Sequence, residues 1–220
     1  LLWFFNVVQT PAYAEMEPGA RNNAFDKLTW RALWWFRWAA MATVAFGVLI
    51  IGQQPDVYDV DYWKSPAGAT LLLGIAFGLT MFLNVWLVIW PNQQKVIANA
   101  RNVQAGGEAD PEAAGAARRG AMASRQNTIF SLPLLVFMVG ASHFYQGRHW
   151  VIEADGSDLA VWFIVGLAIL GLLEANALGL LGGTAAGGPR TIYDTHRNAI
   201  ITGAVLIVVL YLLSEGLFKA

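Results

Sequence analysis

Long apolar runs recur along this chain at a spacing that fits membrane-crossing helices. Five stretches, 30–51, 66–90, 128–144, 159–181 and 198–217, have the length of about 17 to 25 residues that spans a bilayer as a helix. They predict an all-α fold, a polytopic transmembrane helix bundle of five full spans, forming one domain over residues 1–220. The opening 1-LLWFFNVV-8 is as apolar as these runs but too short to cross. Two readings of it stand. It is the tail of a signal peptide, with 12-AYA-14 before Glu15 as the small-x-small cleavage site, or the end of an additional N-terminal helix that starts before Leu1. The second is favoured, because no basic segment precedes the run and a charged amino terminus in mid-bilayer is costly.

Composition agrees with the pattern. Of 220 residues, 56% are hydrophobic and 13% charged, and the mean hydropathy is +0.47; ordinary soluble domains carry about a quarter charged residues. The net charge of -1 says little, but its distribution says more. Of the 14 Lys and Arg, only Lys64, Arg148 and Lys219 lie outside the loops 9–30, 91–127 and 183–197 and the helix start that holds Arg31 and Arg37. By the positive-inside rule these loops are cytoplasmic, the acidic loops with Asp56, Asp59, Asp61, Glu153, Asp155 and Asp158 face outside, and membrane lipid is the surrounding partner. The connection at about 96–126 includes 105-AGGEADPEAAGAARRGA-121 and reads as a solvated, partly helical linker. With no cysteine there is no disulfide, no thiolate metal site and no covalent haem c. No nucleic-acid-binding patch stands out, and the three aspartates at 56–61 read as a solvated loop rather than a metal site.

Few residues carry candidate chemistry. Glu174 is the only acid well inside a predicted span, and an intramembrane carboxylate calls for a named partner. It stands about eight residues before the end of its span near Gly182, and Asn84 stands about eight residues before Asn92, which sets both roughly 12 Å deep. Arg37 lies about 9 Å deeper than Arg31 on its own helix. The expected buried polar cluster is therefore Arg37 as counter-ion, Asn84 as donor and Glu174. It either fixes helix register or serves a proton or redox step. Trp30, Trp34 and Trp38 share a helix face and read as an aromatic belt. The stretch 84-NVWLVIWPNQQKV-96 reads as a helix exit, since Pro91 bends or ends a helix. Gly74 with Gly78, and Gly171, Ala175 and Gly179, form small-residue ridges suited to helix packing. A b-type haem needs two facing ligands; His143 and His149 share one side of the membrane and His196 lies on the other.

The segments 31-RALWWFRWAAM-41, 80-TMFLNVWLVIWPNQQKVI-97 and 124-SRQNTIFSLPLLVFMVGASHF-144 resemble the urate oxidase N-terminal domain, the membrane part of bacterial urate hydroxylases that end in a cytochrome c. The resemblance runs from Leu1 to about Tyr145 and is weaker beyond. Asn84, Pro91, Gln93, Lys95, Asn127, Pro133 and His143 fall on its pattern. It implies a bacterial inner-membrane location and that Leu1 to Pro11 end the first helix of the family. That helix commonly carries a histidine, which is absent here. Because this chain has no cytochrome c portion, the resemblance implies a separate periplasmic c-type cytochrome as redox partner.

Three functions follow. The leading one is an accessory or anchoring subunit of a larger electron-transport complex, assembled with other membrane subunits or with copies of itself. The others are the membrane half of a urate-hydroxylase-like oxidoreductase and a proton or solute pathway through Glu174.

Overall fold

The computed structural model describes residues 1–143 and 154–218. Its elements are helices: α1 (2–15), α2 (Pro18–Gly52), a short α3 (Val60–Lys64), α4 (Pro66–Gln104), α5 (Ala113–His143), α6 (Gly156–Ala177) and α7 (His196–Phe218). Among the described residues, α2, α4, α6 and α7 are each long and apolar enough to cross a membrane. The remaining predicted span, 128–144, is the apolar half of α5 and runs to the edge of the described residues.

α5 is the central helix. Gly74 and Gly78 of α4 pack against Met138 and Leu134 of α5, so these two helices run antiparallel. Gly203 of α7 lies against Ile129 and Leu132, while Tyr211 and Phe137 lie on one small cavity, so α7 runs parallel to α5. Gly166 of α6 meets Leu73 of α4, and Trp162 donates its indole N–H to the Ala69 carbonyl at 3.1 Å. Leu73, Phe77, Phe130, Phe137, Trp162 and Leu210 fill the space between these four helices. A second cluster joins α1, α2 and α4 through Phe5, Leu33, Val85 and Ile89. The ridge on α4 is thus a contact inside the chain.

Three expectations change. The stretch 9–30 is helical apart from the break between α1 and α2, and the linker at 96–126 shrinks to 105–112, because α4 continues to Gln104 and α5 begins at Ala113. Pro91 does not end its helix. A wider π-helical turn over Asn84–Ile89 precedes it, and the Trp90 N–H reaches back five residues to the Val85 carbonyl. The same device precedes Pro11: residues Phe4–Gln9 form a π-helical turn and the Thr10 N–H reaches the Phe5 carbonyl. Proline supplies no N–H and its ring crowds the carbonyl four residues back, so one wider turn lets the helix pass through it.

The third change concerns α6, which ends at Ala177 and not near Leu181. Gly179 adopts φ +80, the Leu180 N–H bonds to the Ala175 carbonyl at 2.9 Å, and the Gly179 N–H to that of Asn176 at 3.1 Å. This is a Schellman cap, which a residue with a Cβ enters only under strain. Gly179 therefore stops the helix and does not continue a packing ridge. Gly171 faces open space, with nothing among the described residues within 4 Å of a Cβ placed there.

Candidate functional site

The π-helical turn of α4 begins at Asn84, and Asn84 is the hub of a polar chain inside the bundle. Its side-chain amide donates to Glu174 Oε2 at 3.0 Å and to Asn127 Oδ1 at 3.0 Å. Asn127, on the central helix, passes the chain on by donating to the Met81 carbonyl at 2.9 Å. Asn84 and Asn127 are buried and Glu174 is half-buried. Three helices are thereby joined through one amide whose two hydrogens are both used. Glu174 stands three residues before the end of α6, about 4.5 Å along the axis. Its depth comes from the chain beyond the cap, which folds back so that the buried Tyr193 donates its hydroxyl hydrogen to the Leu173 carbonyl at 2.8 Å.

Arg37 is not the counter-ion of Glu174. Its guanidinium lies over the Trp90 ring at 4.0 Å and near those of Trp86 and Trp38 at 4.9 and 5.5 Å. Its Nε is buried without a hydrogen-bond partner. The indole faces take the charge that a carboxylate was expected to take. Trp30 stacks on Trp90 at 5.2 Å, so the predicted belt is an inter-helix stack that ties α2 to α4. Arg101 extends the tie outward, pairing with Asp26 and lying over Trp30 at 5.3 Å.

Polar residues absent from the expected cluster sit beside it. Gln126, next to Asn127, is fully buried with neither amide atom hydrogen-bonded, and Asn176 Oδ1 is likewise unpartnered. Arg125 donates to the Tyr193 carbonyl, and Arg118 bridges to Asp194 at 2.7 Å. Arg118, Arg125 and Gln126 come from 118-RRGAMASRQNT-128, whose polarity reads as linker until the helix is known to begin at Ala113.

On the other side of α5 lies a cavity of about 290 Å³ between α1, the start of α2, α4 and α5. Arg21, Arg125 and Gln9 are among its polar lining residues, and Phe5, Phe25 and Phe36 among its apolar ones. Gln9 donates to Thr29 at 3.1 Å, which Tyr13 also meets at 2.7 Å, while Gln9 Oε1 is buried with no partner. Among the described residues, no carboxylate lines the space.

The histidines do not assemble a haem site among the described residues. His143 sits at the end of α5, its Nδ1 3.0 Å from the carbonyl of Val139 in the same helix. His196 starts α7, which runs parallel to α5, so the two lie at opposite ends of the helix pair, about 30 Å apart. His149 lies outside the described residues. No group of three His, Asp or Glu side chains that could hold a metal is found among the described residues.

Comparison with curated proteins and with solved structures gives no match. Comparison with known families matches residues 56–169, just over half of the chain, to the family described as urate oxidase N-terminal. The match takes in Asn84, Asn127 and most of α6, and extends past Tyr145, where the resemblance had weakened. Four membrane-length apolar helices and this match together make the chain an integral membrane protein of the urate oxidase N-terminal family.

Proposed function

We propose that this chain is an anchoring subunit of an electron-transport complex in the bacterial inner membrane, with the basic loops in the cytoplasm and a separate c-type cytochrome on the outer face. The observation that carries the reading is the state of α2. No residue of its most apolar stretch is buried, whereas the corresponding stretches of α4, α6 and α7 each bury part of themselves. Phe46, Val48, Leu49 and Ile50 project outward on successive sides of the helix. The bundle holds it as far as about Ala40, through the tryptophan contacts with α4 and the second apolar cluster. A helix placed this way offers its outer half to a neighbouring subunit within the membrane. The test is to remove the chain from cells and follow the c-type cytochrome of the membrane fraction. It is expected to pass into the soluble fraction, and its full retention in the membrane would contradict the reading.

Membership of the family favours a second reading, in which the chain is the membrane half of a urate-hydroxylase-like oxidoreductase. Membranes containing the chain and its cytochrome would then consume urate, and loss of either would stop the reaction. The hydrogen bond from Asn84 to Glu174 favours a third, a proton path through the bundle. An unchanged proton flux in Glu174→Gln vesicles would end it.

A further inference from the structure

The cavity between α1, α2, α4 and α5 has no part in the functions above, and its lining is both basic and apolar. Two guanidinium groups line it. Arg21 has no hydrogen-bond or ion-pair partner for its side chain among the described residues, and Arg125 has a buried Nε without a partner. Asp194, whose charge reaches Arg125, is already committed to Arg118 at 2.7 Å and to the Gly187 N–H at 3.0 Å. Gln9, a lining side chain only 7% exposed, carries an acceptor, Oε1, that lacks a donor. A buried acceptor left unpaired costs about 1–3 kcal/mol. Phe25, Phe36, Leu33 and Ile89 give the cavity an apolar lining as well. An occupant must therefore bring negative charge, a hydroxyl or N–H donor beside it, and an apolar body behind. A free inorganic ion would satisfy the guanidinium groups but leave the phenylalanine lining without an apolar partner.

We propose that this cavity holds the headgroup of an anionic phospholipid, its phosphodiester between Arg21 and Arg125, its headgroup hydroxyl donating to Gln9 Oε1, and its acyl chains leaving past Phe36. Basic pockets between membrane helices are suited to such headgroups. Filling it ties α1 to the central helix, where the chain's own bonds are few: Asn6 to Ser124 at 2.8 Å and Trp3 to Ser131 at 3.2 Å.

The test is native mass spectrometry of the full chain in mild detergent, titrated with dioleoyl phosphatidylglycerol or dioleoyl phosphatidylcholine. One phosphatidylglycerol per chain is expected to bind at least tenfold more tightly than phosphatidylcholine. Arg21→Ala should weaken it severalfold without changing the melting temperature of the lipid-free protein; Gln9→Leu should weaken it too, but it also removes the bond to Thr29 and lowers that melting temperature. Because Arg125 also holds the Tyr193 carbonyl, Arg21→Ala is the decisive variant. Equal binding of the two lipids, or undiminished phosphatidylglycerol binding by Arg21→Ala, would overturn the proposal. Inorganic phosphate that displaced the lipid at comparable concentration would overturn it too, by showing a site for a free anion.

Discussion

At the residue scale the bundle turns on Asn84. Its amide satisfies Glu174 and Asn127 at once, so removing it strands two acceptors rather than one. Asn84→Leu should lower stability by about 1–3 kcal/mol, read as a lower melting temperature in detergent. Glu174→Gln keeps an acceptor oxygen in place and should melt close to the parent, whereas Glu174→Leu should not. Arg37 makes a different prediction. Its guanidinium is held by ring faces, so Arg37→Lys, which keeps the charge but loses the plane, should cost about 1 kcal/mol and shift the tryptophan emission. If the partner were a carboxylate, the lysine would serve nearly as well. Depth arithmetic brought Asn84 and Glu174 to one level, but it counted from helix ends near Asn92 and Gly182 that the structure moves to Gln104 and Ala177. It carried no information on which way Arg37 turns, because a guanidinium at that depth can be satisfied by a carboxylate or by an indole, and composition offers both.

At the scale of elements, small residues and helix ends decide how closely the helices approach. A Cβ on Gly203 would lie 2.8 Å from Leu132 Cδ1 and 3.0 Å from the Ile129 carbonyl oxygen, so α7 must move off the central helix. Gly203→Ala should destabilise by about 1–3 kcal/mol. Gly171→Ala meets nothing within 4 Å and should be neutral or slightly stabilising through helix propensity. The two substitutions, compared by thermal melting, separate a packing glycine from an idle one. Sequence spacing had singled out Gly171 and passed over Gly203, since a small residue announces room for a neighbour but not whether one is there. The π-helical turns were equally hidden. A proline after an apolar run is compatible with a helix end, a kink or a wider turn, and only the register of the carbonyls behind it distinguishes them.

The segment after α6 adds a pH dependence. Burial alone would raise the Asp194 pKa, but the Gly187 N–H and Arg118, with Arg125 beyond it, outweigh burial and hold it below the ordinary carboxylate value. A carboxyl whose pKa is lower in the folded state stabilises fully above its unfolded value, about 3.9, and loses that contribution as pH falls through the lowered folded value. The fold-back that covers Glu174 should therefore loosen only below about pH 4. Hydrogen exchange at the Gly187 amide should show protection that is flat from pH 7 to 5 after correction for the intrinsic rate, then falls. Asp194→Asn should remove that fall.

At the scale of the whole molecule, the hydrophobic pattern was enough to place the helices, because each must satisfy its own backbone in lipid and so advertises its length. It was not enough to place α5 at the centre. A helix surrounded by protein tolerates Arg125, Gln126 and Asn127 in succession, and such a segment looks like a loop until its neighbours are known. The same reasoning explains α2, whose apolar half is the least covered by its own chain. The account requires that something other than this chain borders that half, and that it belongs to an electron-transport assembly.

Purification of the chain from native membranes in mild detergent, with mass spectrometry and a visible spectrum of the same peak, tests this most directly. The predicted result is co-elution in fixed stoichiometry with a second chain that carries covalently bound haem c. A peak containing only this polypeptide and lipid, without visible absorbance, would contradict it.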